Sequence, residues 1–99
     1  GGGQALGDCY FQRRAGARYE YPFTRDDQEE NLSAALLHYL RAARVYTPTN
    51  YPSFYHEPLA QALLGAAASL SAKQRPYNWI EREELSGVSD AHQIPLYLP

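Results

Sequence analysis

The segment from Thr24 to Arg44 constrains this chain more than any other. Thr24 stands three residues before Asp27, the spacing of a capping box, in which a hydroxyl and a carboxylate each answer the other's backbone N–H. Asp26, Asp27, Glu29 and Glu30 load the first turns, where the helix dipole is positive, and Arg41 and Arg44 sit at the negative end. Between them Leu32, Ala35, Leu36, Tyr39, Leu40 and Ala43 recur at steps of three and four, giving one apolar stripe. Leu37 widens it toward a second neighbour. The pattern predicts a helix over about 25–45, and that stripe must be buried against something else.

A second helix is predicted over about 57–74. Pro58 fits a first helical turn, where its missing N–H costs little, and Pro76 disfavours helical geometry in the residue before it. Leu59, Ala62, Leu63, Ala66 and Leu70 form its stripe, and Gly65 to Ser69 make its middle slim. A slim face admits a flat ring or a neighbouring backbone, which can offset the ~1 kcal/mol that Gly65 costs a helix interior. A short third helix is expected at about 79–86, with Asn78 as cap, Gly87 as left-handed exit, and Trp79 and Ile80 on the buried face. Glu81, Glu83 and Glu84 read as a solvated face.

The flanks read as extended. Residues 9–22 suggest an arm or hairpin turning near Gly16, with Tyr19 and Tyr21 alternating with Arg18 and Glu20. Residues 1–8, opening Gly-Gly-Gly, read as a flexible end or a cloning remnant. The tail from His92 is kept extended by Pro95 and Pro99 yet carries Ile94, Leu96, Tyr97 and Leu98. The expected architecture is mainly α: one domain over 9–99, two main antiparallel helices, a short third, an N-terminal arm and an extended C-terminal tail.

Composition excludes several functions. A formal net charge of −2 provides no field for phosphate or an anionic membrane. The longest weakly polar run, Pro58 to Ala72, is too short to span a bilayer core and is broken by Gln61, Ser69 and Ser71. The chain therefore reads as soluble rather than transmembrane, with its compartment unspecified. One cysteine, Cys9, permits no internal disulfide and leaves an intermolecular bridge as its covalent option. Asn31 opens a glycosylation triplet, but inside a predicted helix. The sequence contains no methionine, so the chain reads as a processed product or an excised domain.

Catalytic spacing is missing. The three histidines and Cys9 form no ligand pairs at metal-binding intervals, so no metal or other cofactor is expected. Asp8 beside Cys9 opposes the thiolate that a nucleophile needs. No catalytic residue is assigned, and the chain leans toward a non-enzyme.

What remains is surface chemistry. Nine of the thirteen aromatic residues are tyrosine, a ring suited to half-buried boundaries and interfaces. The connector at 45–59 carries Tyr46, Tyr51, Phe54 and Tyr55 among three prolines, and the slim face Ala62-Gly65-Ala66-Ser69 is the destination read for its rings. The leading expectation is a protein–protein interaction domain, a subunit or processed fragment of a larger assembly, binding a protein partner or itself. Tyr51, Phe54, Tyr55, Trp79 and Tyr97 are its candidate anchors. A second reading places a ligand-binding or catalytic pocket between the connector 46–56 and helix 57–74, with His56 and Glu57 as its polar groups. A third uses Arg13, Arg14 and Arg18, interleaved with tyrosines over 10–21, to contact nucleic acid.

Overall fold

A computed structural model of the chain describes residues 2–13 and 24–95. These form four helices: α1 Gly2–Arg13, α2 Arg25–Val45, α3 His56–Ala72 and α4 Trp79–His92. The mainly α architecture stands, organised around α2.

Helix α2 begins as its sequence dictates. The Thr24 side chain accepts from the Asp27 N–H at 3.1 Å, and the Thr24 N–H donates to the Asp27 carboxylate at 3.0 Å. The bond from the Thr24 N–H, and after it one from the Thr24 hydroxyl to the same carboxylate at 2.8 Å, hold the Asp27 pKa below its ordinary value. The stripe from Leu32 to Ala43 is wholly buried, because each of the other three helices packs against α2. Burying a leucine side chain contributes about 1.5–3 kcal/mol, so Leu32, Leu36 and Leu40 anchor the assembly. On the α3 side Ser33 meets Lys73 and Tyr39 meets Gly65. Rising numbers on α2 face falling numbers on α3, the antiparallel arrangement.

The N terminus departs from the extended reading. Gly2–Arg13 is helical, in place of the loose end at 1–8 and of an arm beginning at Cys9. The cause is tertiary: a Cβ on Gly3 would stand 3.2 Å from the Ala42 Cβ, and one on Gly7 would stand 2.7 Å from the Tyr39 ring. Glycines one turn apart let α1 lie directly on α2, so packing overrides their poor helix propensity. Tyr10 extends the contact by stacking on His38, with ring centroids 5.4 Å apart. The rest of the expected hairpin, 14–23, lies outside the described residues.

Helix α4 runs six residues past the expected end at 86. Its Asn78 cap is present, accepting from the Glu81 N–H at 2.9 Å. Gly87 does not end the helix; the space beside it is taken by the Arg44 side chain, 3.3 Å from where a Cβ would stand. The left-handed exit falls instead at Gln93, φ 54°, and the Ile94 N–H closes the end on the Ser89 carbonyl.

Helices α3 and α4 each lie on α2 but do not pack on each other; no pair of their residues brings Cα atoms within 8 Å. The described fold is a slab, 45 × 29 × 16 Å between Cα extremes. Among the described residues, one face of α3 therefore has no helix over it.

Candidate functional site

Helix α3 carries no charged residue from Pro58 to Ala72, yet only Ala62, Ala66 and Ser69 along it are buried. Leu64 is 64% exposed, and Ala60, Ala67, Ala68 and Ser71 are open around it. Beside this face runs a cleft of about 230 Å³, formed because α3 and α4 diverge across α2. Leu40 lies at its base, Leu63, Ala67 and Leu70 line the α3 wall, and Leu85 and Val88 line the α4 wall. Ile94 and Pro95 close one end. The cleft has an almost entirely apolar lining and offers a ligand little beyond dispersion and desolvation.

The connector rings do not cover the slim face of α3. That place is taken from α2 by Tyr39, whose ring lies so close to Gly65 that a Cβ there would overlap it. The Tyr39 hydroxyl donates to the Asp8 carboxylate, so one side chain ties α1, α2 and α3 together. The connector is instead anchored by Tyr46, which is buried, with Tyr51 tilted against it at 5.2 Å between centroids. Phe54 is 91% exposed and holds a positive φ of 62°. Tyr55 is half-buried against the His56 ring.

Trp79 is 70% exposed, not on the buried face expected for it. The buried positions of α4 are Glu81 and Val88, with Leu85 partly buried between them; Trp79 is out of phase with that row. Tyr97 lies outside the described residues. Leu64, the most exposed large aliphatic residue among the described positions, is missing from the sequence-based candidates. Its signal was the uncharged run from 58 to 72, which sequence reasoning weighed only against the length of a membrane span.

His56 and Glu57 are both exposed at the start of α3. A cleft of about 370 Å³ beside the connector includes Tyr55, but Ala91 and His92 of α4 and the cap residue Gln93 complete it rather than α3. Arg13 lies over the Tyr10 ring at 5.5 Å, while Arg14 and Arg18 are outside the described residues. Cys9 is a half-buried free thiol. Asn31 donates its amide to the Asp27 carbonyl one turn back. Among the described residues no three His, Cys, Asp or Glu side chains converge as metal ligands.

Polar chemistry concentrates where α3 hands over to α4. Glu81, expected on a solvated face, is fully buried and pairs with Lys73 at 3.1 Å. Lys73 also bonds the Ser33 hydroxyl. A serine held by a lysine can begin a nucleophilic dyad, but the surroundings here oppose it. The Glu81 carboxylate needs the ammonium as its counter-charge. Glu29 accepts from the backbone N–H groups of Gln74 at 2.6 Å and Arg75 at 3.1 Å, donors an oxyanion would otherwise use. The cluster fixes the α3–α4 junction to α2.

No family model matches the chain, and no curated protein or solved structure matches it. No described helix is long and apolar enough to cross a membrane.

Proposed function

We propose that this chain is a non-enzymatic protein-interaction domain, a subunit or piece of a larger assembly, that binds through α3 and the apolar cleft beside it. One observation carries the reading: a helix uncharged from Pro58 to Ala72 has only three buried residues. Helices apolar around their whole circumference are normally buried, and large contiguous apolar patches on soluble domains mark contact sites. The occupant is another polypeptide presenting aliphatic side chains without net charge, since the surface offers it no ion pairs. Phe54 and Trp79 support the reading as rings left in water, the residue types that dominate interface energetics.

The test is a photo-activatable residue at Ala67, on the cleft wall, introduced into the full chain in cells. Irradiation is expected to give an intermolecular adduct of defined mass that is lost with Leu64→Glu. No intermolecular adduct at all overturns the proposal.

A further inference from the structure

We infer that the cleft between α3 and α4 is covered by the chain's own segment 96–99, an autoinhibitory strap that must leave before a partner enters. The inference rests on the interaction reading above and adds its regulation.

The end of α4 delivers the chain to the cleft. Gln93 is left-handed, the Ile94 N–H donates to the Ser89 carbonyl at 2.9 Å, and the Gln93 N–H donates to the Asp90 carbonyl at 3.4 Å. These two bonds make a Schellman motif, whose left-handed residue turns the chain off the helix axis. The Ser89 hydroxyl donates to the Ile94 carbonyl and fixes the exit further. Ile94 and Val88, the apolar pair such a motif brings together, both line the cleft, and Pro95 lines it after them. Residue 96 therefore begins at the cleft edge.

Reach and pattern fit the segment that follows. Four extended residues span about 13 Å. The α3 wall from Leu63 to Leu70 is seven helical steps, or about 10 Å. Side chains of an extended segment alternate, so Leu96 and Leu98 share one side and Tyr97 takes the other, where its hydroxyl meets water. A cleft of about 230 Å³ exceeds the ~150 Å³ apolar cavity that holds benzene, so it accepts more than one group of leucine size.

Other covers lack this connection. The internal stretch 14–23 carries Arg14, Arg18 and Glu20, and neither Arg13 nor Thr24, which flank it, lines the cleft. A separate polypeptide can bring the same aliphatic chemistry, but only from its bulk concentration. A segment tethered at the cleft edge acts at an effective concentration in the millimolar range. It is also aliphatic and uncharged, the chemistry proposed above for the partner. A partner's apparent affinity then falls with the fraction of time the cleft stands open. Leu64 lies outside the cleft lining, so the crest of α3 remains for a partner's first contact.

The photo-activatable residue at Ala67 of the full chain tests this in two settings. In the purified chain, irradiation is expected to join position 67 to the peptide holding 96–98 at monomer mass, read by digestion and mass spectrometry. The same residue at Ala68, exposed but off the cleft, does not make that link. Leu96→Asp combined with Leu98→Asp abolishes it, with circular dichroism as the control for folding. In cells the same double substitution raises the intermolecular Ala67 adduct at least about threefold, because the cleft is open more of the time. No link from 67 to 96–98, or an equal one from 68, overturns the inference and leaves the interaction reading to its own test. A link accompanied by an intermolecular adduct that the double substitution leaves unchanged also overturns the inference. No intermolecular adduct from either protein overturns the interaction reading, and the strap's regulatory role with it.

Discussion

Tyr39 and Gly65 touch so closely that no side chain larger than hydrogen fits at position 65 with the ring in place. Gly65→Ala would gain ~1 kcal/mol of helix propensity in isolation. In the folded chain the added methyl must push Tyr39 or α3 aside, and overpacking of this kind costs about 1–3 kcal/mol. The net expectation is a lower urea midpoint for Gly65→Ala. Adding Tyr39→Leu should make the alanine less harmful than it is beside tyrosine, because the two positions share one contact. A double-mutant cycle of denaturation midpoints reads the coupling directly.

Lys73 and Glu81 form the buried ion pair of the α3–α4 junction, with side chains 4% and 0% exposed. Removing one partner leaves an uncompensated buried charge, so Lys73→Met or Glu81→Leu alone should each cost about 3–5 kcal/mol. Removing both should recover most of that loss, since apolar residues of similar volume often replace such pairs at little cost. Equilibrium urea unfolding of the three variants checks the expectation. Equal losses for the single and double variants would contradict it.

His38 stacks on Tyr10 at the α1–α2 contact, and its pKa is lowered from the ordinary 6.5, first by burial and then by the positive charge of Arg41. The folded state therefore takes up its proton later than the unfolded chain does. This contribution to stability is fully present above pH 6.5, shrinks as pH falls below it, and is lost once pH passes the depressed folded value. His38→Phe keeps a ring against Tyr10 without a titrating nitrogen. It should flatten that part of the stability profile between about pH 7.5 and pH 5. Urea midpoints for both proteins across that range test it.

Legibility in the sequence followed the range of the determining contact. The cap at Thr24 and the stripe from Leu32 to Ala43 are local patterns, and α2 matches them at both ends. Helix α1 was hidden because glycine argues against helix locally, whereas Gly3 and Gly7 are wanted by Ala42 and Tyr39 far along the chain. Gly87 misled in the same way: it looks like a stop signal, but its missing Cβ leaves room for Arg44. Glu81 could not be read as buried, because its counter-ion Lys73 comes from the preceding helix end. Tyr51, Phe54 and Trp79 are exposed rings, but neither Leu64 nor the cleft could be placed until α3 and α4 were seen to diverge across α2.

Phe54 combines a left-handed backbone with an almost fully exposed ring. A positive φ costs a bulky L-residue roughly 1–2 kcal/mol, and asparagine tolerates it far better. With 91% of its surface in water, the ring recovers little of that cost by burial. Phe54→Asn should therefore stabilise the isolated chain by about 0.5–1 kcal/mol, visible as a higher urea midpoint. If the ring is a contact anchor, the same change should weaken binding, measured as lower yield of the intermolecular Ala67 adduct. Stabilisation with undiminished adduct would remove Phe54 from the interface and leave the contact to α3 and its cleft.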